Sequence, residues 1–254
     1  MLIIKEMEQN RHFTAIVVGN NPDSIIAQYN KAIKVEPYLL YQLSKKKEYH
    51  ESMIHFYEKA IESTTDEKQL RVFKEELDYL KSIDDLDYYY DITDGLDINK
   101  ETGDAYSTEN PNGKYDQCNI GKFLSMPLIT KDNKEVYSTT VGNVNWNAVH
   151  LSNRDIYKRT WEMVVDGDEP KNDDEKTIFD NMRNATNYFK YFGDKETYVA
   201  MSTAFWGYAY VDQNGWIEMD GKQSQKEWVL NFYERFIKKL PQDTIISVYE
   251  CFRK

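Results

Sequence analysis

Residues 205–219, FWGYAYVDQNGWIEM, place Asp-Gln-Asn-Gly at 212–215 between two runs of aromatic and β-branched side chains. Asn-Gly supplies the positive φ angles that tight hairpin turns require, so the stretch predicts a β-hairpin with arms 199–211 and 216–219. Downstream, Ser224-Gln225-Lys226-Glu227 has the form of a capping box. It opens a helix carrying Trp228, Phe232, Phe236 and Leu240 at intervals of four, ending at Pro241. Residues 244–251, TIISVYEC, read as a closing strand.

At the other end, residues 13–18 (FTAIVV) form a β-branched run. The turn Gly19-Asn20-Asn21-Pro22 follows, in which Asn21 can cap a helix and Pro22 fits its first position. The two ends together spell strand–helix, then strand–strand–helix–strand. That order is the ferredoxin-like βαββαβ plan, and the fold class read from it is α+β. The expected organisation is one domain over 1–254, interrupted by an insertion at 35–195. Within the insertion, 48–83 reads as a helical hairpin with Met53, Phe56, Ala60 and Ile61 on one helix facing Leu70, Phe73, Leu77 and Leu80 on the other. Residues 94–160 read as an irregular segment, and 174–192 as a helix.

Composition bounds the function. The 254 residues carry a net charge of −11 and a pI near 5.0, which disfavours sequence-independent coating of nucleic acid and favours a basic partner. With 20 Tyr and 5 Trp the chain has ample material for a core. No signal peptide or membrane-length apolar run is evident, so a cytoplasmic protein with reduced thiols at Cys118 and Cys251 is expected.

Catalytic signatures are weak. The histidines of His50-Glu51-Ser52-Met53-Ile54-His55 are five apart, which turns them about 140° from each other on a helix. Residues 97–104 alternate oxygen ligands like a calcium loop, but the glycine is displaced and Thr108 stands where the bidentate glutamate belongs. Neither a metal site nor a cofactor is expected. A nucleophile pair of Cys118 and His150 has no motif behind it. More suggestive are Trp206, Tyr208 and Tyr210, which share one face if 199–211 is a strand. With Lys238 and Lys239 nearby they could stack RNA bases, whereas the plainer reading packs the rings beneath helices.

Asn110-Pro111-Asn112-Gly113-Lys114-Tyr115-Asp116, followed by Ile120-Gly121, resembles a segment of uncharacterised bacteriophage proteins in which Asn-Pro-Asn-x-Lys-Trp-Asp precedes Ile-Gly-Gly-Arg-Trp. Residues 12–21, 215–244 and 250–251 are similar to the same family's opening and closing elements. Tyr115 replaces the Trp, and Gly121-Lys122-Phe123 replaces Gly-Gly-Arg-Trp. The family brings no assigned reaction, so the segment reads as a turn presenting Tyr115 and Asp116 to the domain body. The resemblance implies a phage-encoded accessory protein. The leading expectation is a non-enzymatic, anti-CRISPR type inhibitor of a host defence complex, using an acidic face of Asp84, Asp85, Asp87, Asp91, Asp166 and Asp168. An RNA-binding module comes second, and a small hydrolase or metal-dependent enzyme third.

Overall fold

In the computed structural model, which describes residues 12–121, 126–219 and 223–253, the FTAIVV run forms β1 (His12–Val18). Asn21 caps α1 (Pro22–Ala27), its side chain accepting from the Ser24 N–H at 3.4 Å. The chain continues through β2 (Tyr38–Tyr41), α2 (Lys46–Ser63), α3 (Glu67–Ser82), α4 (Asp85–Ile92), β3 (Asp97–Ile98) and β4 (Ala105–Ser107). Four short strands follow: β5 (Gln117–Ile120), β6 (Leu128–Ile129), β7 (Glu135–Val136) and β8 (Ser138–Thr140). The helices α5 (Trp146–Leu151), α6 (Arg154–Val164), α7 (Asp173–Met182), α8 (Thr186–Phe192) and α9 (Lys195–Thr203) come next. Last are the hairpin β9 (Ala209–Asp212) and β10 (Gly215–Glu218), α10 (Gln225–Phe232) with a π-helical turn over Tyr233–Ile237, and β11 (Ile245–Phe252).

The chain divides into two units: the part up to Ala32 together with Asn112 onward, and Ile33–Pro111. The segment that stands apart is therefore far shorter than the expected insertion of 35–195. Residues 112–195 pack with the sheet, because their helices cover it.

The sheet of the larger unit has the order β10-β9-β1-β11-β5, with β8 also paired to β11. Its first and last strands, β1 and β11, lie together in it as expected, but the strand order departs from the ferredoxin-like one, which inserts the second hairpin strand between the two parallel strands. Here β9 pairs directly and in parallel with β1, Ala15 opposite Ala209, and β10 takes the outer edge. Burial gives the reason. Ala209, Tyr210 and Val211 are all buried, as a central strand requires, whereas Ile217 in β10 is exposed. The first hairpin arm is also shorter than 199–211. Residues 195–203 are helical because Asp194 caps α9, accepting from the Thr197 N–H at 2.7 Å, after Gly193 ends α8 at φ +82°.

One sheet face carries Ile16, Val18, Tyr210, Ile246 and Val248 against Trp161, Phe189, Tyr198, Phe205, Trp228 and Phe232 from the helices. The capping box forms, with Ser224 Oγ accepting from the Glu227 N–H and the Glu227 carboxylate accepting from the Ser224 N–H. Its helix solves a problem posed by the four-residue spacing of Trp228, Phe232 and Phe236, which drifts around an α-helix of 3.6 residues per turn. The wider π turn absorbs that drift. Phe236 thereby stacks on Tyr210, with centroids 4.6 Å apart and planes 14° apart.

The opposite face, with Phe13, Ala15, Val17, Val211 and Tyr249, is closed by α1 and by Tyr115. Tyr115 is buried, and its hydroxyl donates to the Ile26 carbonyl at 3.0 Å. Lys114 N–H donates to the Tyr29 carbonyl and Asp116 N–H to that of Phe252. The NPNGKYD turn thus plugs an aromatic ring under the sheet, and the boundary between units falls inside it, between Pro111 and Asn112. Cys118 sits opposite Cys251 in the β5–β11 register and the two form a disulfide, which corrects the expectation of reduced thiols. Spacing of 133 residues in sequence concealed a pairing that only the register reveals.

In the smaller unit α2 and α3 form the expected helical hairpin, joined where Asp66 caps α3. A three-stranded sheet, β2-β4-β3, completes it. Its buried core is small: Leu80, Tyr88, Tyr89 and Ala105, with α2 burying no residue fully. Phe56, assigned to the apolar stripe, is 56% exposed.

Truncating Tyr115 tests the plug. Tyr115→Phe removes one buried hydrogen bond and is expected to cost about 1 kcal/mol, whereas Tyr115→Ala removes the ring and is expected to cost about 3–5 kcal/mol in denaturant unfolding. Equal losses for the two variants would show that the hydroxyl, not ring burial, is the anchor.

Candidate functional site

The aromatic trio does not form an open face. The regular pleat begins only at Ala209, and Tyr210 lies buried under Phe236. Trp206 packs at the edge of the helix-covered core, while Tyr208 packs on the other side of the sheet with Phe13, at 5.4 Å between centroids. Between them Gly207 lets the strands close up: a Cβ there would stand 2.8 Å from Ile16 Cγ1. Trp206, Tyr208 and Tyr210 therefore present no shared stacking platform. Lys238 is tied to Glu234 at 2.9 Å, and Lys239 is exposed beside it.

The acidic residues are divided between the two units. Asp166 and Asp168 belong to an ion-pair network in the larger unit. Asp168 pairs with Arg159 at 2.7 Å, while Asp166 accepts from Trp161 Nε1 at 3.1 Å and from Lys195 at 3.4 Å. In the smaller unit Asp84 caps α4 and Asp85 lies 3.8 Å from Lys46. Asp91 accepts a hydrogen bond from the Tyr79 hydroxyl. That bond, together with the charges of Asp91, Asp87 and Glu76, pushes the Tyr79 hydroxyl above its ordinary pKa. The carboxylates of Asp87, Glu76 and Asp78 make no ion pair among the described residues. An acidic patch centred on Tyr79 results, with Tyr90 and Phe56 among the other exposed rings of this unit. Asp87 and Asp91 of the sequence reading belong to it, and Glu76 and Asp78 were missed because they sit in an ordinary mixed-charge helix.

The unit's charge is strongly skewed. Residues 33–111 contain 19 Asp and Glu against 10 Lys and Arg, out of 43 against 32 in the whole chain. The smaller unit thus carries −9 of the total −11. The calcium-like loop within it is a local turn. Asn99 Oδ1 accepts from the Glu101 and Thr102 N–H groups, and Asp104 Oδ1 accepts from Leu43 N–H. His50 does not face a metal but meets the Leu80 carbonyl at 2.8 Å. No cluster of three or more potential metal ligands occurs among the described residues.

A second feature, invisible in the sequence, lies in the larger unit. A cleft of about 1010 Å³ opens between α5, α6, α9 and α10. His150 stands in its wall, edge-on to the Tyr233 ring at 4.7 Å, and Trp146 packs behind at 4.9 Å from Tyr233. Burial pushes the His150 imidazole below its ordinary pKa, with Glu234 opposing the shift, so the ring is neutral at physiological pH. Cys118 is bonded to Cys251, so the Cys118–His150 nucleophile pair is excluded. No helix among the described residues is long and apolar enough to cross a membrane.

Compared with family models, curated proteins and solved structures, the chain matches none.

The half-buried imidazole makes stability pH-dependent with a defined sign. Its folded-state pKa lies below the ordinary 6.5, so the unfolded chain takes up the proton first as pH falls. Stability is complete above that value and is lost on acidification toward the lower folded-state pKa. The melting temperature of wild type should therefore fall between about pH 7 and about pH 5.5, and His150→Phe should flatten that fall. An unchanged slope in the variant would place the proton uptake elsewhere.

Proposed function

We propose that the protein acts by binding, with its acidic unit docking on a basic, nucleic-acid-handling surface of another protein assembly. The observation that supports this most directly is the segregation of charge, −9 within residues 33–111. Exposed rings accompany it: Phe56, Tyr79 and Tyr90 are 56%, 47% and 57% exposed. Carboxylates meeting a basic channel steer association and set orientation, while aromatic rings supply contact area at low conformational cost. A counter-defence role of the anti-CRISPR type is the specific form of this reading, with the guide-loaded effector's nucleic-acid channel as the docking surface. The residues assigned to the contact are Glu76, Asp78, Asp87 and Asp91 around Tyr79.

The test is competition. Purified CRISPR effector complexes of several types, loaded with guide RNA, are challenged with the protein, and binding of labelled target DNA is followed by gel shift. One or more effectors should lose DNA binding, with inhibition weakening steeply as salt rises. A Glu76→Lys/Asp87→Lys variant should inhibit at least about tenfold less, a loss of about 1.4 kcal/mol. Undiminished DNA binding across the panel, or inhibition indifferent to the charge reversal, would sink the reading.

A further inference from the structure

We propose that the cleft of the larger unit is a binding site for a nucleoside monophosphate. Three separate features of the cleft converge on that ligand. The first is a pair of cations. Arg154 and Lys158 lie four residues apart on α6, hence on one face one turn from each other, and both line the cleft. Neither makes an ion pair among the described residues, in contrast to Lys195 on the facing helix, which Glu162 holds at 2.8 Å. Two exposed cations at this spacing suit a phosphomonoester, whose oxygens can bridge a guanidinium and an ammonium.

The second feature is the aromatic wall. Tyr233 and His150 meet edge to face, and Phe205 lies fully buried at the base. A neutral imidazole beside a phenol ring is a surface on which a heterocyclic base stacks, since every base presents a π face. The wall stands on the π-helical turn, a backbone irregularity found often at functional sites. Here the turn holds Tyr233 at the cleft while Phe236, three residues on, faces the sheet.

The third feature is a carboxylate. Glu196, in the first turn of α9, lines the same cleft and makes no ion pair among the described residues. It provides an acceptor for ribose hydroxyls or an exocyclic amine, which inorganic phosphate lacks. The volume of about 1010 Å³ accommodates a nucleotide. Asp155 and Glu234 line the cleft as well, so its wall is no continuous cationic track and a single phosphate beside Arg154 and Lys158 is a better match than a long polyanion.

Isothermal titration of the full chain with AMP, GMP, CMP and UMP in turn, and with inorganic phosphate and adenosine as controls, tests this. At least one nucleotide should bind saturably with a Kd below about 1 mM, and the controls should bind at least about tenfold more weakly. Arg154→Gln/Lys158→Gln, both exposed positions, should weaken nucleotide binding at least tenfold and leave the melting temperature unchanged. Tyr233→Leu should weaken the nucleotide but not phosphate. No saturable binding of any of the four nucleotides would overturn the proposal, as would binding that survives the double substitution or nucleotide affinity no greater than that of phosphate.

Discussion

The antiparallel register between β1 and β11, from His12 opposite Phe252 to Val18 opposite Ile246, is the constraint on which the larger unit depends. It joins residues some 240 positions apart, so loop closure opposes it and nothing local assists it. Once formed, it leaves each strand one free edge: β1 receives β9 in parallel, and β11 receives β5 and β8. Both faces of β1 are then apolar and need cover. The helices of 146–237 shield one side, and α1 with the Tyr115 turn shields the other.

A polar junction fastens the edge of this assembly. Glu218 at the end of β10 accepts from Trp216 Nε1 at 2.9 Å, from Arg253 at 2.9 Å and from Lys114 at 3.2 Å. Burial alone would raise its pKa, but the three donors outweigh it and hold the carboxyl below its ordinary range. Arg253 also lies over the Phe13 and Tyr208 rings, at 4.6 and 5.3 Å. One carboxylate therefore links the hairpin, the closing strand's end and the 110–116 turn, which explains why the turn places Lys114 directly before its aromatic plug. Desolvation of such a group offsets much of its attraction, so its net contribution to stability is small.

Features encoded by local chemistry were legible in the sequence. The Asp212–Gly215 turn, the Ser224 capping box, the Asn21-Pro22 helix start and the α2–α3 hairpin each depend on residues within a few positions of one another. Features decided by distant partners were not. Val199 to Thr203 looks like the start of a strand only because it runs on into the aromatic stretch 205–211, and the signal that makes it a helix is the Gly193-Asp194 stop-and-start before it. The helices α5 and α6 were lost in an Asn-rich stretch, although Asn145 caps α5 through the Ala148 N–H. The parallel neighbour of β1, the Cys118–Cys251 pairing and the cleft all require tertiary placement. His150, Lys158, Glu196 and Tyr233 come from four elements spread over more than eighty residues, and no motif spacing connects them.

The smaller unit poses a different physical question, because its 79 residues hold a net charge of −9 on a thin core. Self-repulsion works against folding, yet at physiological salt it reaches only about 8 Å, so it acts chiefly between neighbouring carboxylates. Local arrangements answer it. Asp66 and Asp84 lie at helix N-termini, where the dipole favours them, and Lys46 and Lys81 stand against Asp85 and Glu58. Around Tyr79 this compensation stops. The hydrogen bond from Tyr79 to Asp91, with the charges of Asp91, Asp87 and Glu76, raises the phenol's pKa, and none of these carboxylates makes an ion pair among the described residues. A surface left with uncompensated charge beside exposed rings is stabilised by whatever brings positive charge to it, and that is the electrostatic basis on which a basic partner would bind.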